Sequence, residues 1–247
     1  MGLRHNVGAT LELVIVLALA ASLASCGDSR VNVLVSDGSP SVTIMDFTEP
    51  LPLDPLPAGW YHRLFWRHGP MDISFERKEG LAAIRLATHD TASMLFRHTD
   101  IPLDRYPTLS WQWYIEKGID SSIDELTEAG DDHPARFFIV FEAADDEPHR
   151  MEIIWGNRVL GAGDYKYIGS FPHYVANGGQ ANVGRWHQEA VDLADIYREL
   201  WGDPTGARIV DIAFFCDSDD TGGETVAYFS DVRMTQKTLT TREPEID

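Results

Sequence analysis

The chain of 247 residues carries 39 Asp and Glu against 20 Lys and Arg, a formal charge of −19. So acidic a chain repels phosphate backbones and anionic headgroups, which excludes nucleic acid as a partner and charge-driven adsorption to lipid. A hydrophobic fraction of 44% with seven Trp fills a core, which excludes global disorder, and the length suits one all-β domain.

The first element is the apolar run Leu13–Leu23. It is shorter than the roughly 20 residues a membrane-spanning helix needs and matches a signal-peptide core. Arg4 is the one firm positive charge before it, and Glu12 is an unusual acid there. The string Leu23-Ala24-Ser25-Cys26 resembles the bacterial lipobox. The resemblance implies residues 1–25 as a lipoprotein signal peptide, cleavage before Cys26, diacylglycerol on its thiol and a fatty acyl chain such as palmitate. Membrane contact is then through this lipid alone. An ordinary secretory signal cut at a nearby small-residue site is the alternative. Gly27 after the cysteine, by resemblance to enterobacterial sorting, favours the outer membrane facing the periplasm over the inner membrane. Cys216 is the only other cysteine, and within IVDIAFFCD it reads as a buried thiol with no disulfide partner.

Residues 26–41, rich in Ser, Asp, Gly and Pro, read as a tether, 42–236 as a single β-sandwich domain and 237–247 as a C-terminal tail. Alternating or continuous apolar segments predict strands over Thr43–Phe47, Trp60–Trp66, Asp72–Lys78, Leu81–Thr88, Ser93–His98 and Leu109–Lys117. Further strands are predicted over Arg136–Glu142, His149–Trp155, Trp186–Leu193, Arg208–Asp217 and Thr225–Met234. Lys78-Glu79-Gly80 suits a tight hairpin, and Ala144–Pro148 a longer one. Ser122-Ile-Asp-Glu125 has capping-box spacing for one or two helical turns. Asp192–Trp201 sets Leu193, Ile196, Tyr197 and Leu200 on one face and predicts a short helix. The pattern defines an all-β fold, an antiparallel β-sandwich of jelly-roll type, similar to carbohydrate-binding modules and galactose-binding-like domains, with one or two short helices.

The familiar catalytic motifs H-E-x-x-H, G-x-S-x-G and the P-loop are absent, and Gly161-Ala-Gly163 is no dinucleotide fingerprint. Three clusters remain. In the first, Asp131 and Asp132 precede Arg136 at the start of FFIVF. They either hold a polar ligand or metal, or pair with an arginine near the sandwich interior. In the second, Asp217, Asp219, Thr221 and Gly222 match the first half of a calcium loop, but Tyr228 stands where the bidentate Glu belongs. An EF-hand is excluded. Asp217 and Asp219 stay as possible hard-oxygen ligands for Ca2+, the one cofactor considered, beside the reading as a self-capping turn. The third cluster is aromatic. Trp111 and Trp113 alternate toward the core. The long segment Asn157–Val183 holds Tyr165, Tyr167 and His173 among five glycines and either is functional or carries short strands of its own.

The strings AGDDHPARFFIVF, IIWGNRV, GRWHQEAVDLADIYRELWG and CDSDDTGGETVAYFSDVRM occur in order from residue 129 to 234. With Asp46-Phe47, Gly59-Trp60 and the pair Trp111 and Trp113, they resemble a family of bacterial exported proteins known as domain of unknown function 3047. The likeness runs from about Asp46 to Met234 and implies no reaction. The family usually has Asp-Asn-Thr where this chain has Asp219-Asp220-Thr221. The closing strand Tyr228–Met234 also resembles that of jelly-roll carbohydrate-binding modules, a likeness of fold rather than function.

The sequence therefore predicts a lipid-anchored envelope protein that binds a glycan or similar polar ligand without catalysis. Candidate contacts are Asp131, Asp132, Arg136, Trp155, Asn157, Tyr165, Tyr167, His173, Asp217, Asp219 and Thr221. One rival is a polysaccharide lyase or hydrolase, with Arg136 holding a substrate carboxylate and His173 or a Tyr as base. Another is an assembly lipoprotein whose Asp/Arg group is purely structural. Fourteen acids crowd into Asp120–Asp132, Glu142–Glu147 and Asp217–Glu224, so the charge gathers at strand ends.

Overall fold

The computed structural model describes residues 32–237; Cys26, the signal segment and residues 238–247 lie outside them. In chain order the strands are β1 (Val33–Val35), β2 (Ser41–Thr43), β3 (Tyr61–Leu64), β4 (Asp72–Lys78), β5 (Leu81–His89), β6 (Ser93–Pro102) and β7 (Thr108–Lys117). They continue as β8 (Arg136–Glu142), β9 (Pro148–Gly156), β10 (Tyr165–Ile168), β11 (Phe171–Gly178), β12 (Trp186–Asp192), β13 (Arg208–Phe215) and β14 (Glu224–Thr235). One sheet has the order β1-β6-β13-β8-β9-β11-β10, with β3 also beside β6. The second has β12-β7-β14-β5-β4, with β2 beside β14.

This is the expected two-sheet sandwich, and most pairings are antiparallel. Two are parallel: β1 with β6, and β9 with β11. The stretch read as a tether to residue 41 thus contributes β1, and the long segment Asn157–Val183 is built largely of β10 and β11. β1 and β10 are edge strands of three and four residues, too short for a period to show, and β11 holds a single β-branched residue among its eight. The hairpin at Glu79-Gly80 forms with both residues at positive φ, 51° and 88°, matching the twist of the flanking strands. The helix α1 (Leu193–Trp201) begins where Asp192 accepts a hydrogen bond from the Asp195 amide.

Ser122–Glu125 forms no helix; a 3-10 turn follows at Glu128–Gly130. The Glu125 carboxylate is recruited elsewhere, accepting hydrogen bonds from the backbone amides of Asn157, Arg158, Val159 and Leu160. A local capping box lost to a tertiary contact that satisfies four donors at once.

Side chains alternate across each strand, so each sheet has a face toward its partner and a face away from it. Trp111 packs on Phe137 with centroids 5.1 Å apart, Trp113 on Trp155 at 5.4 Å, and Phe214 on Phe229 at 5.5 Å. These inter-sheet pairs are edge-on, the geometry favoured by the ring quadrupole. Cys216 is fully buried, and burial pushes its thiol well above the ordinary range, so it stays a thiol and inert. Phe137 touches Trp111, Trp113, Phe214 and Phe229. Its replacement by Ala is expected to lower stability by about 3–5 kcal/mol, read from a urea unfolding curve.

Candidate functional site

Arg136 opens β8 on the face turned away from the second sheet, because Phe137 beside it points inward. Its guanidinium is 3% exposed and meets three carboxylates: Glu152 through Nε at 2.6 Å, Asp217, and Asp131 at 3.2 Å. It also donates to the Asp131 carbonyl and, at 3.1 Å, to His173 Nε2. The His173 Nδ1 sits 3.1 Å from the Phe171 carbonyl and donates there, leaving Nε2 to accept from Arg136.

Lys166 approaches from β10. Its Nζ lies 2.5 Å from Asp131 Oδ1, 2.7 Å from the Glu125 carbonyl and 2.9 Å from His133 Nε2. His133 Nδ1 faces the Trp155 carbonyl at 2.9 Å, so the ring is neutral and Nε2 is an acceptor. Burial drives its pKa down to about 3, consistent with that role. Burial also lowers the Lys166 pKa, against the pull of Asp131. For Asp131, burial opposes ionisation, yet the Arg136 guanidinium overcomes it and holds the carboxyl below its ordinary range.

Asp132 is fully buried. Its carboxylate accepts from the amides of Asp220 and Thr221 and from the Thr221 hydroxyl, pinning the late loop to the segment before β8. Asn157 Nδ2 donates to the Asp132 carbonyl at 2.7 Å. Asp219 lies 2.8 Å from His68, in the loop after β3.

Eight predicted residues therefore come together: Asp131, Asp132, Arg136, Asn157, His173, Asp217, Asp219 and Thr221. They meet as a closed network rather than an open cleft, and three readings change. Arg136 is sheathed by three carboxylates and presents nothing to a substrate. His173 is fully buried with both ring nitrogens engaged. Trp155 is 1% exposed in the core between Trp113 and His187.

Tyr165 and Tyr167 lie on the other face of β10, since Lys166 between them points into the network. Their rings stack with 6.4 Å between centroids, and the Tyr165 hydroxyl bonds Glu199 of α1. They form a separate surface. A cleft of about 380 Å³ opens beside the network between Ser121, Leu126, Val159 and Thr221.

Asp132, Asp217 and Asp219 each offer an oxygen within 4.8 Å of the others. The oxygens are hard donors of the type Ca2+ takes. All three already serve protein partners, so a cation there would compete with Arg136 and His68. Burial and the neighbouring acids Asp219, Asp132 and Asp131 raise Asp220 to about 6.

The face that carries Arg136 holds a second arrangement, absent from the sequence reading. Register sets Tyr61 beside Phe96, Phe96 beside Ala213, Ala213 beside Phe138, and Phe138 beside Glu152. The line continues through His173 to Lys166. Tyr61, Phe96 and Phe138 are all partly exposed. Tyr61 stacks on Phe96 at 5.4 Å, and Phe138 meets Phe171 at 5.9 Å. The neighbouring row carries His98, bonded to Asp211 at 2.6 Å, then Val140 and Arg150. The one signal in the sequence is the run FFIVF, apolar at consecutive positions and hence apolar on both faces.

Fold and site together define a β-sandwich protein with an ion network closing one end of an open aromatic sheet face. The chain belongs to the family described as protein of unknown function (DUF3047), whose profile matches residues 58–233. No curated protein sequence matches it. Among solved structures it is similar to the family 30 carbohydrate-binding module of the cellulosomal cellulase Cel9D-Cel44B of Clostridium thermocellum. That match has 11% identity and a TM-score of 0.42, over 80% of this chain and 98% of that one. The family 11 module of Lic26A-Cel5E of the same organism gives 9% identity and 0.39, over 77% and 95%. The endoglucanase Cel12A from Rhodothermus marinus gives 9% and 0.41, over 72% and 92%. At this level the likenesses carry no inference about ligand or activity.

Replacing Arg136 by Met strands Glu152 and Asp217 without their cation, leaves Asp131 to Lys166 alone, and is expected to cost about 3–5 kcal/mol in chemical denaturation. Asp220 gives a pH-dependent test. Its folded pKa of about 6 exceeds the ordinary 3.8, so its ionisation destabilises the fold as pH rises through 6. Asp220→Asn should melt higher than wild type at neutral pH in chelator-treated protein, and the gap should close as pH falls toward 4.

Proposed function

We propose that this protein is a non-catalytic binding module that lays a glycan chain across the outward face of the first sheet. The observation that carries the reading is the cross-strand row Tyr61, Phe96, Ala213 and Phe138. Sugar rings present flat C–H faces that stack on partly exposed aromatic rings, while their hydroxyls seek polar groups at the side. His98, Asp211 and Arg150 stand in the next row for that purpose. Phe96 and Phe138 are two strands apart, about 9–10 Å, with only the methyl of Ala213 between them. The small residue leaves a trough flanked by rings, a span that consecutive sugars bridge. The network beside it, on the same face, holds the strands in register.

The module is, in this proposal, carried in the bacterial envelope on a lipid attached to Cys26, at the outer membrane facing the periplasm. Cys26→Ser should then move the protein from the membrane to the soluble fraction and abolish labelling by palmitate.

Calorimetric titration against a glycan panel tests the binding itself. Phe138→Ala and Tyr61→Ala should each weaken binding roughly tenfold, about 1.4 kcal/mol, with far-UV circular dichroism unchanged. Tyr165→Ala and Tyr167→Ala, on the opposite face, should leave affinity as it was. Absence of binding to every glycan, or full affinity in Phe138→Ala and Tyr61→Ala, would sink the reading.

A further inference from the structure

In so acidic a protein, free cations are conspicuous. Among the described residues, every lysine and arginine but two has a hydrogen bond, an ion pair or an aromatic ring against its charge. Arg77 binds Glu49, Arg208 binds Asp100 and Arg233 binds Asp231, and even the exposed Arg67 lies over the Trp66 ring. The exceptions are Arg63 and Arg150. Both are partly exposed.

Both lie on the same face of the same sheet. Arg63 follows Tyr61 by two positions on β3, beside Met94. Arg150 precedes Glu152 by two positions on β9, beside Val140. Alternation therefore turns both guanidiniums toward the side that carries Phe96 and Phe138. They flank the aromatic row on opposite sides and toward opposite ends, some four strand spacings apart, about 19 Å. The acids around Arg150 do not neutralise it: Asp211 is taken by His98, Glu152 by Arg136, and Glu142 lies beyond ion-pair distance. Sequence order hides this pairing, because 87 positions separate the two arginines.

We infer that the ligand is an anionic polysaccharide, whose carboxylate or sulfate groups are read by Arg150 and Arg63 while its rings stack on the aromatic row. The inference rests on the glycan reading above and narrows it. A neutral polymer gives two guanidiniums nothing to neutralise. A repeating acid offers each one a planar two-oxygen partner at separate points along the chain. The overall charge of −19 works against such a ligand, so recognition depends on this local exception and should fade with salt.

The test titrates the full chain in detergent with polygalacturonate, with a sulfated dextran and with neutral xyloglucan and mannan, at low and high salt. At least one acidic polymer should bind, more weakly at high salt. Arg150→Gln and Arg63→Gln should each lower that affinity roughly tenfold, with unchanged melting temperature because neither side chain has a protein partner. Preference between polygalacturonate and the sulfated dextran identifies the acidic group. Binding of neutral polymers with both variants at wild-type affinity would overturn the anionic ligand and leave the glycan reading standing. Failure of every polymer to bind would remove both.

Discussion

Everything around the network depends on one guanidinium. Arg136 sits in a nearly dry site, where an unpaired charge is intolerable, and it gathers carboxylates from three separate segments. Glu152 comes from the neighbouring strand, Asp131 from the segment before β8, and Asp217 from the loop before β14. Asp132 and Glu125 then extend the hold to the loops around residues 220 and 157–160 through backbone amides. An arginine can do this where a lysine could not, since its planar fork presents donors in several directions at once. The loops at one end of the sandwich are shaped by that demand, which is why acids crowd there.

The same charges that gather at strand ends leave the middle of the sheet face free. Alternation along β8 sends Phe137 into the core and Phe138 outward, and the sheet repeats this choice strand by strand. The two arrangements are thus separated across the sheet: ion-paired side chains fill the row on β9, β11 and β10, and aromatic rings fill it on β3, β6 and β8.

Much of the fold was legible in the sequence. Strands β4 and β8 begin and end where their alternation and turn residues predict, and α1 starts at the acid that caps it. The candidate site was legible only as a list of neighbours. Asp131, Asp132, Arg136 and Asp217 do converge, but whether such a group is sheathed or open depends on the loops that cover it, and no local pattern encodes a cover. Glu125 shows the limit clearly: its spacing from Ser122 fits a helix start, and a long-range contact satisfying four amides outbid it. Tyr165 and Tyr167 share the segment Asn157–Val183 with His173, yet one-residue alternation puts them on the far side of β10 from the network. The row from Tyr61 to Phe138 is invisible for the opposite reason, since it exists only once four strands are in register.

The sequence distances inside the network also have a kinetic meaning. Arg136 meets Glu152 16 residues away but Asp217 81 residues away, and His133 reaches Asp217 across 84. A chain emerging from synthesis can pair the first long before the last. Until the segment after β13 arrives, a collapsed intermediate must either keep this end hydrated or bury a cation with part of its counter-charge missing. Contacts this remote slow folding, and here they also penalise stopping halfway. The ion cluster therefore ties the closing of this end of the sandwich to the segment after β13, so its charges are fully matched only when nearly the whole domain is present.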